Sequence, residues 1–401
     1  MTTPHITNED DLAVFAETDF RDKRQRFGIK LKDRRSHMYI IGKTGVGKST
    51  LLETLIRHDI NAGHGLALID PHGDLVEQVL AHIPASRQED VIYFNVPDAS
   101  HPLAFNPLQR VNKSRRSLAA AGLLSVFKNL WDDSWGPRLE HILRNSLLAL
   151  LDQPKATLAD ILKLLADFKF RQEVVKNIEN EQVKKFWTEE FESYPVRFRA
   201  EAIAPVQNKV GAFLADPLLN RILTQSESSF RLREVMDQSK ILLINLAKGI
   251  IGEDSSFLLG ALLVTRIGLA AMSRADTNET ARRDFFLFLD EFHNYTNLSV
   301  GEMLSELRKY GLSLILAHQY LNQLPIPTRD AIIGNIGTLI SFRVGALDAE
   351  LLAKEFYPDF SATDFTNLPN HHIYLKLMIN GNVSQPFSAK TIATPIRANG
   401  V

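Results

Sequence analysis

The sequence predicts an α/β protein with a mostly parallel central sheet and an inserted all-helical subdomain. Two observations support this fold class. Apolar strands alternate with helical patterns over most of the 401 residues, whereas one long internal stretch shows helical apolar spacing only. Several strands, such as ILLINLA, are continuous apolar runs, as expected of parallel strands that are covered on both faces.

Composition excludes several function classes. The chain has no cysteine, which rules out disulfides, thiolate zinc sites and cysteine nucleophiles. The net charge is −1, so any nucleic-acid surface must be a local patch. The N-terminus lacks a signal-peptide pattern, and the apolar run 257–272 contains Arg266 and is shorter than the ~20 residues of a membrane span. We expect a buried helix there, no transmembrane segment and a cytoplasmic location.

The segment MYIIGKTGVGKSTLLETLI carries the full phosphate-loop pattern between an apolar strand and a helix. Its glycines let several backbone N–H groups point at one phosphate, and the helix N-terminus faces the same anion. Lys48 brings a charge to the outer phosphates, and the Ser49 hydroxyl is suited to Mg²⁺. We therefore expect ATP and Mg²⁺ as cofactors. The expected nucleotide-binding residues are Gly42, Lys43, Thr44, Gly45, Val46, Gly47, Lys48, Ser49 and Thr50.

A second apolar run, FFLFLDEFHN, ends in two adjacent carboxylates. In phosphate-loop enzymes a strand of this kind ends in an aspartate that holds Mg²⁺, which assigns Asp290 together with Ser49 to the metal. Glu291 is then placed to accept a proton from the attacking water. By itself the motif also fits a plain strand end, and the phosphate loop is what favours the catalytic interpretation.

The apolar runs also predict the domain boundaries. Residues 38–111 and 236–395 form a nucleotide-binding domain, residues 112–235 form an inserted all-helical domain, and residues 1–37 form a basic segment with a leading strand. The inserted stretch contains all three tryptophans and only three of the 21 glycines. The predicted strands are 38–42, 66–70, 91–95, 241–246, 285–290, 312–317, 339–344 and 373–378.

The basic run RDKRQRFGIKLKDRR, residues 21–35, carries eight cations against two acids, a local charge of +6. It fits a solvated strand flank and a nucleic-acid surface equally well.

Five segments occur in a familiar order: GKTGVGKST, LALIDPHGDL, ILLINLAKGIIGEDSSFLLGALL, FLFLDEFHN and LSLILAHQYLNQL. Over about residues 28–390 the chain resembles the FtsK/HerA superfamily of hexameric DNA-pumping ATPases, and most closely the soluble ATPase part of type IV secretion coupling proteins. The segment WGPRLEHILRNSLLALL resembles that family's all-alpha domain. The usual N-terminal transmembrane helices of coupling proteins and the N-terminal barrel of HerA proteins are not expected in this sequence.

The resemblance implies a RecA-like fold, a hexamer and double-stranded DNA bound without sequence preference. It also implies a relaxase, nuclease or secretion-channel partner, through which the protein would dock to a membrane complex. Gln319 matches the residue that senses the γ-phosphate, and Arg308, with Arg343 as second candidate, matches an arginine that completes a neighbour's site. Local structural roles remain open for all three. Asp70 and His72 fit either a water- or Mg²⁺-orienting role or a simple turn.

The leading hypothesis is an ATP-driven DNA translocase whose loops, with Lys248 and Arg329, contact the DNA backbone. Two alternatives remain: an ATPase of the same fold that moves protein, and a nucleotide-dependent adaptor that recruits a relaxase or nuclease.

Overall fold

The computed structural model describes residues 11–19, 24–109, 111–295 and 299–392. Arg21, Asp22 and Lys23 of the basic run lie outside the described residues. The strands are β1 Leu12–Thr18, β2 Arg26–Lys30, β3 Met38–Ile41, β4 Gly65–Asp70, β5 Val91–Asn95, β6 Ile241–Asn245, β7 Phe285–Leu289, β8 Leu312–His318, β9 Thr338–Ser341, β10 His372–Lys376, β11 Met378–Ile379, β12 Asn382–Val383 and β13 Phe387–Thr391.

The α-helices follow in chain order. They are α1 Leu31–Arg34, α2 Lys48–Ala62, α3 Asp74–Leu80, α4 Arg116–Leu130, α5 Pro137–Leu151, α6 Asp160–Ala166, α7 Phe168–Lys176, α8 Glu181–Lys185, α9 Phe191–Ser193, α10 Val196–Ala215, α11 Pro217–Leu223, α12 Leu232–Asp237, α13 Lys248–Ile251, α14 Glu253–Ser273, α15 Ser299–Glu306, α16 Ile326–Asn335, α17 Ala346–Glu355 and α18 Ala362–Asn367. A short 3-10 turn, Leu307–Tyr310, follows α15.

The chain divides into two compact units. One contains the described residues of Met1–Tyr93, Arg233–Asn245 and Ala271–Val401, and the other contains those of Phe94–Leu232 and Leu246–Ala270. No strand occurs from residue 111 to residue 232, all of which the structure describes. Residues 246–270, which include α13 and most of α14, group with the helical unit. The sequence analysis placed these residues in the nucleotide-binding domain.

The eleven-stranded sheet has the order β2-β1-β13-β10-β9-β3-β8-β7-β4-β6-β5. Its central strands β9, β3, β8, β7, β4 and β6 are parallel, and β10, β13, β1 and β2 extend it with antiparallel pairs. The predicted mostly parallel α/β architecture is therefore confirmed. Every predicted strand is present with ends shifted by a few residues, whereas the pairing of β1 with β2 and β13 was not predicted.

The apolar helix α14 is buried, as the sequence predicts. It is the one described helix that is long and apolar enough to cross a membrane, but most of its length is enclosed by protein, as in the core helix of a soluble domain. Its Arg266 donates a hydrogen bond to the Gln109 carbonyl at 2.8 Å. Burial lowers the pKa of Arg266 to about 10, because the charged form is costly away from water.

Two cations of the basic run have structural partners. Arg34, which is fully buried, forms a two-pronged ion pair with the equally buried Asp59 of α2, with Nη2 at 2.8 Å from Oδ2. Arg35 makes a similar pair with Asp284, at 2.8 and 2.9 Å. Arg34 is therefore unavailable as a DNA contact, whereas Arg24 and Arg26 are exposed. The basic run is in part a structural segment.

Replacing Arg34 should destabilise the protein strongly. The change Arg34→Met leaves Asp59 charged and buried without a partner, which typically costs about 3–5 kcal/mol in the free energy of unfolding. The double variant Arg34→Met/Asp59→Leu should recover most of that loss. Urea unfolding followed by circular dichroism measures both. Arg144→Met, which breaks an exposed pair with Glu140, is the control and should change stability by about 0.5 kcal/mol or less. A double variant as unstable as the single one would contradict this account.

Candidate nucleotide-binding site

The strand register brings the predicted site residues to one edge of the sheet. Ile41 of β3 pairs with His318 of β8, and Leu289 of β7 pairs with both Leu316 of β8 and Ile69 of β4. The residues that directly follow these strands therefore lie side by side, because parallel strands all end at the same edge. They are Gly42 after β3, Gln319 after β8 and Asp290 after β7. Asp70, the last residue of β4, lies at the same edge.

The phosphate loop requires glycine at two positions for different reasons. Gly47 has φ +117°, a conformation that side chains rarely adopt, and an added Cβ would lie 2.7 Å from His371 Nδ1. Gly42 has an ordinary φ, but its Cβ would meet Phe342 Cβ at 2.5 Å. Main-chain hydrogen bonds also hold the loop, including one from the His371 N–H to the Val46 carbonyl at 2.8 Å. Its shape is therefore set by residues that are more than 290 positions away in the chain.

Lys48 is anchored on the loop itself. Its ammonium donates hydrogen bonds to the carbonyls of Gly42 at 2.6 Å and Lys43 at 3.0 Å, and only 6% of the residue is exposed. Burial lowers the pKa of Lys48 below its usual value, while the nearby Glu291 and Asp290 oppose that shift. Thr44 and Ser49 are exposed at the mouth of the loop, where a phosphate can approach.

The two adjacent acids after β7 are both buried and have different surroundings. Burial, with repulsion from Asp70 and Glu291, raises the pKa of Asp290 to about 7. One of its oxygens accepts the Glu291 N–H at 3.0 Å. Glu291 has a φ of +47°, which is uncommon for a residue with a side chain.

Gln319 connects the phosphate loop to Glu291. Its amide nitrogen donates to Glu291 Oε1 at 2.5 Å, and its amide oxygen accepts the Thr44 hydroxyl at 3.0 Å. The two ends of one side chain therefore touch both halves of the site. The predicted Gln319 and Glu291 come together in the structure, together with Thr44 of the loop.

Asp70 has a structural role. Its carboxylate accepts the N–H groups of His72 at 2.8 Å, Leu75 at 2.9 Å and Val76 at 3.2 Å, so it caps the start of α3. These bonds support the turn interpretation for the Asp-Pro-His-Gly segment. The charge of Asp70 nevertheless acts on the site, because it contributes to the raised pKa of Asp290.

The two candidate arginines lie in different places. The Arg343 guanidinium donates to the Leu368 carbonyl at 3.1 Å and to Asn370 Oδ1 at 2.9 Å, so it is engaged within its own chain beside the phosphate loop. Arg308 is exposed in the turn before β8, at the amino end of that strand. Seven residues of β8 separate it from Gln319, about 23 Å at the usual rise per residue. Arg308 therefore does not belong to the phosphate-loop edge of its own chain.

Sequence reasoning missed two residues next to the acids. His293 lies with Nδ1 at 3.5 Å from Glu291 Oε2, and Gln323 contacts its other ring nitrogen at 3.2 Å. The buried Tyr295 hydroxyl has no hydrogen-bond partner among the described residues, and burial together with the charges of Asp70, Asp290 and Glu291 raises its pKa. His293 and Tyr295 both lie in the segment EFHNY, residues 291–295. The signal that could have identified them is the presence of polar side chains directly after a buried strand.

The side chains present fit a hydrated divalent cation with hard oxygen ligands. Three buried carboxylates, Asp70, Asp290 and Glu291, are offset by one buried ammonium, Lys48, which leaves an excess of negative charge. The Ser49 hydroxyl and the Asp290 carboxylate are the oxygen ligands that Mg²⁺ prefers. When bound, Mg²⁺ would neutralise charge on the nucleotide phosphates.

The fold and the site together define a RecA-like P-loop ATPase of the FtsK/HerA type. A family model described as the type IV secretion-system coupling protein DNA-binding domain matches residues 27–351. The chain therefore belongs to this family. The resemblance inferred from the sequence motifs is confirmed.

Solved structures show the same fold over nearly the whole chain. Unbound conjugative coupling protein TrwBdeltaN70 is 15% identical, with 94% of this chain and 89% of that chain covered and a TM-score of 0.65. Plasmid coupling protein TrwB in complex with ADP and Mg²⁺ is 16% identical, with 93% of this chain and 89% of that chain covered and a TM-score of 0.65. VirB4 of Thermoanaerobacter pseudethanolicus is 16% identical, with 95% of this chain and 96% of that chain covered and a TM-score of 0.64. No curated protein matches the chain.

Adding a methyl group at Gly47 should disrupt nucleotide binding more than adding one at Gly45. Gly45 has φ +76° and nothing within 4 Å of a new Cβ, so Gly45→Ala tests backbone strain alone. Strain of that kind costs about 1–3 kcal/mol. Gly47→Ala adds a collision with His371. The double variant Gly47→Ala/His371→Ala should recover the nucleotide affinity that is lost to the collision, but not the affinity that is lost to backbone strain. Titration with a fluorescent ATP analogue compares the three. Equal affinities for Gly45→Ala and Gly47→Ala would argue against the packing role of His371.

Proposed function

We propose that this chain is an ATP-hydrolysing motor of type IV secretion that acts on DNA as a ring of subunits. The observation that carries the proposal is the hydrogen-bonded connection from Thr44 through Gln319 to Glu291. It joins the loop that would hold the phosphates to the group that would activate water. Membership in a family described as a coupling protein DNA-binding domain supports DNA as the partner.

The roles of the site residues follow from their positions. Main-chain N–H groups from Gly42 to Thr50 would hold the phosphates. Lys48 would exchange its bonds to the loop carbonyls for phosphate oxygens, and Ser49 and Asp290 would hold Mg²⁺. Glu291, whose carboxylate is buried beside the loop, would accept a proton from the attacking water.

Gln319 is suited to report the state of the nucleotide. Its oxygen is bonded to the Thr44 hydroxyl and its nitrogen to Glu291. A γ-phosphate at the loop would compete for the Thr44 hydroxyl, and Gln319 would then reorient. Because Gln319 directly follows β8, such a change would pass to the segment 320–325 that leads into α16, where Arg329 lies. This segment is the proposed route from chemistry to movement.

Arg308 is the better candidate for action on a neighbouring subunit. Its guanidinium is exposed at the sheet edge opposite its own phosphate loop. The pocket that it lines contains the cations Lys32, Arg35, Arg282 and Lys309 and the acids Asp33, Glu279 and Asp284. Arg343 is bound to Leu368 and Asn370 of its own chain and would stabilise the site from within. A cation supplied by a neighbour would make hydrolysis depend on assembly.

The fold alone does not select between DNA and protein as the transported substrate. The chain is as similar to VirB4, with a TM-score of 0.64, as to TrwB, with 0.65. The family match favours the coupling-protein assignment and therefore DNA. Among the cations proposed to contact DNA, Arg329 is paired with the exposed Asp330 at 3.3 Å, whereas Arg24 and Arg26 are exposed.

The decisive measurement is ATP turnover with and without double-stranded DNA. DNA should accelerate hydrolysis by the wild-type chain, and the acceleration should fall steeply with salt, because each neutralised phosphate contributes about −0.9 to the slope of log K against log salt. Glu291→Gln should keep ATP binding but lose ~10²–10⁴ in rate, since the amide cannot accept the proton. Lys48→Ala should lose binding itself.

Each outcome of this experiment has a definite meaning. Full turnover in Glu291→Gln would remove that residue from the mechanism. Turnover that DNA does not change, in a protein that hydrolyses ATP normally, would reject the DNA motor and favour the adaptor or the protein-moving ATPase. Arg144→Met on the helical unit is the matched charge-removal control and should leave turnover unchanged.

Mixing two inactive variants tests the assignment of Arg308. Arg308→Ala should bind ATP normally and hydrolyse it poorly, and so should Glu291→Gln. A mixture should regain activity, because some interfaces then combine an intact Glu291 with an intact Arg308. Sizing of the mixture must show mixed assemblies. Mixed assemblies without any regained turnover would show that Arg308 does not act across the interface, and Arg343→Ala would then be examined in the same way.

A further inference from the structure

A cluster of two histidines and one aspartate lies outside the nucleotide site. Asp11 directly precedes β1, His58 lies in the last turns of α2, and His64 lies between α2 and β4. His64 Nε2 is 2.9 Å from Asp11 Oδ2, and His58 Nε2 is 3.4 Å from Asp11 Oδ1. The three side chains are between 11% and 25% exposed, so they are partly enclosed but reachable from solvent.

The three side chains are close enough together to share one metal ion. Ligand atoms at 2.0–2.1 Å from Zn²⁺ are about 3.3 Å apart in a tetrahedron. The two nitrogen–oxygen separations, 2.9 and 3.4 Å, are of this size, although they involve different oxygens of the Asp11 carboxylate. One ligand atom from each of the three residues lies within 4.8 Å of the other two. Two imidazoles with one carboxylate are a common ligand set for Zn²⁺, and solvent access leaves room for a water in the fourth position.

The backbones that carry the three ligands are held in place. The Asp11 carbonyl accepts the Leu31 N–H at 2.9 Å, and the His64 N–H donates to the Asp59 carbonyl at 2.9 Å. The His64 ring packs edge-on against Phe286 of β7, with centroids 5.8 Å apart. A site whose ligands are already positioned loses little conformational entropy when it binds an ion.

We propose that Asp11, His58 and His64 form a binding site for a divalent transition-metal ion of the Zn²⁺ class. The bound ion would tie the chain ahead of β1 to the C-terminal end of α2, the helix whose other end forms the phosphate loop. The site is separate from the expected Mg²⁺ site in both ligands and location, since imidazole nitrogens favour Zn²⁺ and carboxylate or hydroxyl oxygens favour Mg²⁺.

The test uses the full chain without an affinity tag, dialysed against chelator and free of nucleotide. Isothermal titration with Zn²⁺ should show one ion bound per chain at this site. The ion should also raise the midpoint of thermal unfolding by at least about 2 °C, because it binds only the folded chain. Co²⁺ in place of Zn²⁺ should give the visible absorption bands of a low-symmetry, near-tetrahedral complex, a readout that needs no variant.

The variants separate this site from other sources of zinc binding. His58→Ala, His64→Gln and Asp11→Asn should each weaken binding at least tenfold, and the metal-free melting curve of each variant shows whether it is folded. The control His101→Ala should keep wild-type binding, because it removes an exposed histidine that is paired with Asp98 and has no third ligand among the described residues. Absence of stoichiometric binding in the wild-type chain would overturn the proposal. So would unchanged binding in the folded His58→Ala and His64→Gln variants, and the three residues would then be a hydrogen-bonded cluster only.

Discussion

The buried ion pair between Arg34 and Asp59 is a constraint on the two segments that carry the phosphate loop. Arg34 ends the short helix that precedes β3, and Asp59 lies on α2, so the pair joins the two segments that flank the loop. The Arg34 guanidinium also lies over the Phe286 ring, 3.8 Å from its centroid. Phe286 belongs to β7, which is directly followed by the two buried acids Asp290 and Glu291. One cation therefore contacts elements that carry both ATP motifs, and its removal would leave a charge buried between them.

Charge is concentrated at the carboxyl edge of the sheet, where apolar strands would otherwise dominate. The cost of burying it is offset in different ways at each residue. Asp70 is satisfied by three main-chain N–H groups, and Lys48 by two carbonyls of its own loop. Asp290 is less well compensated, because burial and the charges of Asp70 and Glu291 raise its pKa to about 7. Poorly compensated acids are typical of sites that bind a cation or move a proton.

The fold class and the ATP motifs were predictable because their signals are local. A strand, a glycine-rich loop and a helix within 25 residues define the phosphate loop, and a buried run ending in Asp290 and Glu291 defines its partner strand. The packing of His371 against Gly47 and the partners of Arg34 could not be predicted, since each depends on residues that meet only in the folded chain. The basic run was ambiguous for the same reason, because charge in a sequence does not reveal which cations will be buried.

The first and last described strands are neighbours in the sheet. Strand β1 pairs with β13 in antiparallel fashion, with Ala16 opposite Thr391, so the chain enters β1 and leaves β13 at the same end of that ladder. A pulling force applied between these two points would load the inter-strand hydrogen bonds one after another rather than all at once. The edge of the sheet would then open at low force, while the parallel strands that carry the phosphate loop stay paired. For a protein proposed to work against a mechanical load, the direction in which a tether or partner pulls would decide whether the ATP site experiences that load at all.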